Sequence, residues 1–101
     1  MRTSEEVFSI VKEELRDALR VKPEKITPQA RIFSELGAES IDILDLRFRL
    51  EKQFQLQITD GEILERLGND LSVEQFDALF TVQSVVDFVM ERLAKETSKV
   101  A

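Results

Sequence analysis

The chain has 101 residues, of which 43% are apolar, and a formal net charge of −6 from 20 acidic and 14 basic side chains. This length and composition predict one folded domain with a modest core, and the negative charge argues against a nucleic-acid partner. No apolar run could span a bilayer, and no basic stretch followed by an apolar one opens the chain. Cysteine and histidine are absent, which removes disulfides, thiolate chemistry, the usual general base and the commonest metal ligands. We expect a soluble cytoplasmic protein without a metal site.

The first segment with helical periodicity follows a capping box formed by Thr3 and Glu6. Its apolar residues predict a helix over about residues 4–20, which ends before Pro23 because proline disfavours helical backbone in the residue that precedes it. Residues 21–39 contain both prolines and one of the three glycines, so we predict a long loop. A short helical turn is predicted over 32–36, and four apolar side chains should hold the loop against the helices, namely Ile26, Ile32, Phe33 and Leu36.

A second helix is predicted from residue 40 or 41 to about Phe54. It carries two adjacent apolar rows, which is typical of a helix that packs on more than one neighbour. The first row is Ile41, Leu44 and Phe48, and the second is Ile43, Leu46, Leu50 and Phe54. Two further capping boxes, at 59–62 and 72–75, predict two short helices. Thr81 can cap a last helix whose apolar stripe ends near Ala94, and residues 95–101 should fray. The predicted fold is all-α, in a single domain over residues 1–101.

The most informative stretch lies at the start of the second helix, where the sequence Leu-Gly-Ala-Glu-Ser ends at Ser40. A hydroxyl there lies at a helix N-terminus, where free N–H groups and the helix dipole favour an attached anion such as phosphate. Serine is also a common N-cap residue, so a structural cap is the alternative interpretation. The capping-box form is absent, because residue 43 is Ile rather than Glu or Gln.

The stretch from Ile32 to Ile58 resembles the acyl carrier protein family. The matching positions are Phe33, Leu36-Gly37-Ala38, Glu39, Ser40, Ile41-Asp42, Asp45-Leu46, Leu50-Glu51, Phe54 and Ile58. The helix, proline and loop at the start and the closing segment 81–89 also fit, so the resemblance covers nearly all of the chain except about residues 61–80. Most family members have Asp where Glu39 stands and Leu where Ile41 stands.

The resemblance implies a four-helix bundle, here with an extra short helix between the second and last long helices. It implies that a phosphopantetheinyl transferase uses coenzyme A to attach 4′-phosphopantetheine to Ser40. The thiol of that arm would hold acyl chains as thioesters for fatty-acid or lipid biosynthesis. The chain would be a monomeric carrier rather than an enzyme, and its partners would be enzymes that make and transfer acyl chains.

Two sets of site residues also follow from the resemblance. Partner recognition would involve charged residues at the start of the second helix and along it, namely Glu39, Asp42, Asp45, Arg47 and Arg49. The acyl chain would occupy a pocket lined by Leu44, Phe48, Ile58, Ile63, Phe76, Phe80 and Val86.

Basic residues in the second helix depart from the family pattern, which is strongly acidic there. The helix carries Arg47, Arg49 and Lys52. One interpretation is pairing at helical spacing, as between Asp45 and Arg49. The other is altered partner choice, because local positive charge would repel the basic docking surface of a general fatty-acid enzyme.

The extended segment between Ile58 and Thr81 is the second departure. It either packs on the bundle or enlarges the acyl pocket, as in specialised carriers of very long acyl chains destined for lipid A, which Phe48 and Lys52 also resemble. A carrier of amino-acid or polyketide units remains an alternative function. A helical interaction module in which Ser40 is only a cap is a third.

Overall fold

A computed structural model describes residues 3–59, 61–62, 65 and 70–99, without the side chains of 96–99. Four helices run through this part of the chain: α1 (Ser4–Leu19), α2 (Ser40–Phe54), α3 (Val73–Leu79) and α4 (Val82–Lys99). A single 3-10 turn lies at Pro23–Lys25. The described residues contain no strand, only one isolated bridge between Arg31 and Thr81. The predicted all-α fold is therefore confirmed.

Side chains at the starts of the helices satisfy backbone N–H groups that lack a partner within the helix. At α1 the Glu6 N–H donates to the Thr3 hydroxyl at 3.2 Å. At α3 the Ser72 and Gln75 side chains each accept from the other's backbone N–H, at 3.1 and 2.9 Å. At α4 the Ser84 N–H donates to the Thr81 hydroxyl at 3.2 Å. These three predicted caps are confirmed.

The predicted short helix after residue 59 lies mostly outside the described residues, which include only Glu62 and Glu65 of its helical part. Both are helical, and the Glu65 N–H donates to the Gly61 carbonyl at 2.8 Å. The predicted capping contact is present, because the Thr59 N–H donates to the Glu62 carboxylate at 3.2 Å. The chain therefore enters a helical turn here, as its sequence predicts.

The core lies where α1 packs against both α2 and α4. It is formed by one apolar stripe from each of these three helices, including Val7, Val11, Leu15, Leu46, Leu50, Phe54, Val82, Val85, Val86 and Val89, all buried. The loop between α1 and α2 contributes Ile26, Ile32 and Leu36, also buried, while Phe33 packs against the cluster. The prediction that these residues hold the loop against the helices is confirmed.

Backbone hydrogen bonds join this loop to the start of α4. The Ile32 N–H donates to the Phe80 carbonyl at 3.1 Å, and the Val82 N–H donates to the Ala30 carbonyl at 3.1 Å. The Gln83 N–H reaches the Pro28 carbonyl at 2.8 Å. The path of the chain towards α2 is therefore fixed by residues that lie far along the sequence.

One expectation about the helices is wrong. The first apolar row of α2 is not packed, because Ile41, Leu44 and Phe48 are 70%, 47% and 51% exposed. The row from Ile43 to Phe54 alone meets the core, since α1 covers only one side of the helix. Beyond Ala94, where fraying is predicted, α4 continues to Lys99, and residues 100–101 lie outside the described residues. An established helix extends by one backbone hydrogen bond per residue even without an apolar stripe.

Candidate functional site

A tight turn over residues 32–37 leads the chain into α2. The Gly37 N–H donates to the Phe33 carbonyl and the Ala38 N–H to the Ile32 carbonyl, both at 3.1 Å. Gly37 has a φ of +74°, and a Cβ built there would meet no atom within 4 Å. Glycine is therefore favoured by the left-handed backbone and not by crowding. The short helical turn predicted here is confirmed.

Ser40 is the first residue of α2, and its side chain is exposed. The N-cap residue is Glu39, whose N–H donates to the Asp42 carboxylate at 2.8 Å. The interpretation of Ser40 as the N-cap is therefore wrong, because Asp42 reaches back one turn, as the third residue of a capping box does. Among the described residues, the Ser40 hydroxyl has no hydrogen-bond partner.

Backbone N–H groups beside Ser40 are available to a ligand. The N–H groups of Asp42 and Ile43 both donate to the Glu39 carbonyl, at 2.9 and 3.1 Å. Those of Ser40 and Ile41 have no partner in the described part of the chain. Two outward N–H groups at the positive end of a 15-residue helix suit the oxygens of a phosphate joined to this serine.

Arg49 links α2 to α1 through two carboxylates. Its guanidinium donates to Asp45 at 3.0 Å and to Glu14 at 3.2 Å, and Glu14 also accepts from the Gln53 amide at 2.7 Å. The hydrogen bond to Asp45 and then that to Glu14 raise the pKa of Arg49 above its usual value. The predicted pairing of Asp45 with Arg49 is confirmed. The buried Glu14 was not predicted, although it stands on the same helix face as Val7 and Val11.

Arg47 is half-buried and is turned towards the connection after α2. It donates to the Ile58 carbonyl at 3.3 Å, and its guanidinium carbon lies 5.1 Å from the centre of the Phe48 ring. The Ile58 N–H is bound by the Glu51 carboxylate at 2.9 Å. Arg47 therefore holds the connection after α2 in place, although it also lies near the surface of that helix. Of the other residues predicted for partner recognition, Glu39 and Asp45 are exposed and Asp42 is half-buried.

A second arginine, Arg92 of α4, binds the same connection. It donates to the Gln57 carbonyl at 2.8 Å and forms an ion pair with Glu62. Burial raises the pKa of the Glu62 carboxyl, but hydrogen bonds from Thr59 and the charge of Arg92 outweigh it and hold that pKa below its ordinary value. Glu62 is therefore held as a carboxylate against α4.

Residues predicted to line the acyl pocket lie at different depths. Ile58, Phe80 and Val86 are buried in the core, Phe76 is half-buried, and Leu44 and Phe48 are exposed. Ile63 lies outside the described residues.

An open groove of about 650 Å³ runs between the 32–37 turn and α3. Its apolar lining consists of Phe33, Leu71, Val73 and Phe76. The rings of Phe33, Phe76 and Phe80 lie 5.4 to 6.1 Å apart and continue this lining into the core. Asp77 closes one edge, since its carboxylate accepts from the Ser34 N–H at 3.0 Å.

The described residues hold no group of three or more side chains suited to binding a metal ion. None of the described helices combines the length and the apolar character needed to cross a membrane.

A profile of the phosphopantetheine attachment site family matches residues 9–69, from α1 to the segment before α3. The chain belongs to the acyl carrier protein family. It is 34% identical over 89 residues to a curated acyl carrier protein of Thermosynechococcus vestitus, an alignment that covers 88% of this chain and 94% of that protein. The family resemblance predicted from the sequence is thereby confirmed.

As an acyl carrier protein, the chain carries 4′-phosphopantetheine and is acted on by other enzymes instead of being an enzyme itself. Carriers of this family interact with a transferase that loads them and with biosynthetic enzymes. The profile match includes the turn, Ser40 and α2, so the part of the fold that presents the serine is shared with the family. Residues 70–101, which contain α3 and α4, lie beyond that match.

Proposed function

We propose that Ser40 is the residue that carries phosphopantetheine, in a monomeric cytoplasmic carrier serving fatty-acid or lipid biosynthesis. The observation that carries the proposal is the exposed Ser40 hydroxyl, which is not used for capping because Asp42 performs that task. If the serine side chain also capped the helix, its capping hydrogen bond would have to be replaced when the large group is attached. Here the hydroxyl is available from the start.

The loading reaction needs only a hydroxyl from this chain. The Ser40 oxygen forms a bond to the phosphorus of coenzyme A that bears the pantetheine, the diphosphate bond breaks, and adenosine 3′,5′-bisphosphate leaves. The hydroxyl proton passes to a base on the transferase, since this chain has no histidine. The N–H groups of Ser40 and Ile41 are placed to bind the oxygens of the resulting phosphodiester. When bound, the arm supplies the thiol that carries acyl groups.

Intact mass after incubation with coenzyme A and a broad-specificity phosphopantetheinyl transferase tests the attachment. We expect the parent chain to gain one phosphopantetheine group and Ser40→Ala to gain none. Ser34→Ala is the matched control, because Ser34 is another exposed serine, in the turn that leads to α2. An equal gain on Ser40→Ala, or no gain on the parent chain, would contradict the proposal.

We further propose that the cargo is a long acyl chain, part of which lies in the groove beside α3. The groove is apolar where Phe33, Leu71 and Val73 line it, as expected of a site for hydrocarbon. It is also close to the attachment residue. The hydrogen bond from Gly37 to Phe33 closes the turn at one wall of the groove, and the three chain steps from Gly37 to Ser40 span at most about 11 Å. Tethering would then give the cargo a high effective concentration at the groove.

Thermal unfolding of carriers loaded with acyl chains of increasing length tests the cargo. Each methylene that leaves water stabilises by up to about 0.8 kcal/mol, so we expect Tm to keep rising through long chains. In Val73→Ser the rise should be smaller, whereas Leu79→Ser, on α3 but outside the groove lining, should behave as the parent. A plateau at short chains would favour small amino-acid or polyketide units instead.

A further inference from the structure

The short helix α3 lies against the 32–37 turn, which leads the chain to Ser40. The Phe33 ring of the turn is centred 6.1 Å from the Phe76 ring and 5.5 Å from the Phe80 ring. Just after α3, the Phe80 carbonyl accepts from the Ile32 N–H at 3.1 Å. The other side chains of the helix, apart from Asp77, are exposed, namely Val73, Glu74, Gln75, Ala78 and Leu79. The helix is therefore held to the rest of the chain on the side that faces the turn.

Asp77 is the charged side chain of α3 that reaches the backbone of this turn. Its side chain is only 19% exposed. One carboxylate oxygen accepts from the Ser34 N–H at 3.0 Å, and the other lies 3.8 Å from the Arg31 guanidinium. An ion pair of that length with a half-exposed arginine contributes little, whereas a hydrogen bond from an N–H to a carboxylate is charge-assisted. Asp77 therefore acts on the turn chiefly through the Ser34 N–H.

The Ser34 N–H takes its acceptor from outside the turn. In the described part of the chain no backbone carbonyl accepts from it, whereas the N–H groups of Gly37 and Ala38 donate to carbonyls within the turn, both at 3.1 Å. Asp77 does for this turn what an N-cap side chain does for a helix, from 43 residues along the chain. Without that acceptor, the bonds that Gly37 and Ala38 make just before Ser40 would open more often.

We propose that Asp77 is a positioning residue for the loading of Ser40. Through the Ser34 N–H it holds the turn in the conformation that sets the serine before the transferase. The inference rests on the proposed attachment at Ser40 and adds a residue of α3, which lies beyond the part of the chain that matches the family profile. A transferase that binds only the ordered turn has its apparent affinity reduced by the fraction of carriers in which the turn is open. Loss of Asp77 therefore raises KM for the carrier and leaves kcat nearly unchanged.

Loading kinetics of the apo protein with coenzyme A and a broad-specificity phosphopantetheinyl transferase test the proposal. Asp77→Ala should raise KM for the carrier by about fivefold to tenfold, with kcat within about twofold of the parent. Asp77→Asn should stay within about twofold, because its amide oxygen can still accept from the Ser34 N–H. Glu74→Ala is the matched control, since it removes an exposed carboxylate from the same helix and should also stay within about twofold.

Amide hydrogen exchange followed by NMR gives a readout that does not depend on the transferase. In Asp77→Ala the N–H groups of Gly37 and Ala38 should exchange at least about threefold faster than in Asp77→Asn or Glu74→Ala. The N–H of Val11, in the buried part of α1, should exchange at the parent rate. A general loss of stability would accelerate the exchange of Val11 as well, so this comparison separates a loosened turn from a weakened fold.

Three results would overturn the positioning role. They are equal KM values for Asp77→Ala and Glu74→Ala, KM raised as much by Asp77→Asn as by Asp77→Ala, and unchanged exchange of Gly37 in Asp77→Ala. The two proposals fail differently. A parent chain that is not loaded contradicts the attachment at Ser40, whereas a loaded parent whose Asp77→Ala variant is loaded equally well contradicts only the role of Asp77.

Discussion

At the start of α2, one residue caps the helix and another offers a free hydroxyl. Asp42 performs the capping that a serine performs at many helix N-termini, and the Ser40 hydroxyl stays available. Asp42 satisfies the Glu39 N–H at 2.8 Å, and Ser40 is left exposed without a partner among the described residues. The carboxylate also lies near the positive end of the helix, where negative charge is favoured. The start of α2 therefore stays ordered whether or not the serine oxygen is modified.

Removing the Asp42 carboxylate should destabilise the start of α2. We expect Asp42→Ala to lower the free energy of unfolding by about 1 kcal/mol, because the Glu39 N–H loses its acceptor. Asp42→Asn should lose less, since its amide oxygen can still accept. Urea unfolding followed by circular dichroism measures both, and equal losses in the two variants would show that the cap is unimportant.

The position of Ser40 at the start of a helix can be predicted from the sequence, but the identity of the N-cap residue cannot. A serine ahead of an apolar-periodic segment is predicted to be an N-cap, and a capping box is predicted where Glu or Gln follows three residues later. In this chain the N-cap lies one residue earlier, at Glu39, and Asp42 is in the third position of the helix. A shift of one residue at a helix end is enough to exchange the two roles.

At the level of helices, α1 and α2 are joined by a polar contact as well as by the core. Arg49 donates to Glu14 at 3.2 Å, and Gln53 donates to the other oxygen of that carboxylate at 2.7 Å. Glu14 is buried, so its charge needs these partners to offset the loss of water. The pair holds in register the helix that presents Ser40.

Arg49→Met should therefore destabilise more than an exposed arginine does. We expect a loss of about 2 kcal/mol in the free energy of unfolding, because the buried Glu14 keeps only its bond from Gln53. Arg16→Met is the control, since Arg16 pairs with Glu13 at 2.8 Å on the surface of α1, and it should cost less than about 0.5 kcal/mol. Chemical denaturation of both variants measures these losses. Equal losses in the free energy of unfolding would refute the role of Glu14.

Local patterns predict where the helices are, while their neighbours decide which faces are buried. Capping residues and apolar spacing locate both ends of α1 and α2 and the start of α3 within about one residue. They do not show that Ile41, Leu44 and Phe48 remain exposed to solvent. A wide apolar stripe has the same sequence pattern whether one neighbouring helix covers it or two. The pairing of Arg49 with Glu14 depends in the same way on how α1 lies against α2.

At the scale of the whole molecule, contacts between distant segments hold the connections in place. Arg92 of α4 binds Gln57 and Glu62, and the loop before α2 is hydrogen-bonded to residues 80–83. Such contacts are invisible to local sequence patterns. They explain why residues 21–39, predicted as a loop, are well packed without being a helix.

The pairing of Glu62 with Arg92 should make stability depend on acid. The pKa of Glu62 is lower in the folded chain than when unfolded, so the unfolded state binds its proton first as the pH falls. The stabilisation is complete above the ordinary pKa and is lost as the pH falls from about 5 through the lowered value. Glu62→Gln should flatten this part of the unfolding profile, while Glu65→Gln should follow the parent. Parallel profiles for the parent and Glu62→Gln would contradict the assignment.

The hydrogen bonds between the loop and the start of α4 also set an order of events during synthesis. Ala30 and Ile32 pair with residues about fifty positions later in the chain, and contacts of such separation form after local ones. On the ribosome α2 can coil as soon as it emerges, but the turn that leads to Ser40 gains its neighbours only when residues 80–83 have followed. The nascent chain should therefore become a good substrate for loading only after residues 80–83 have emerged.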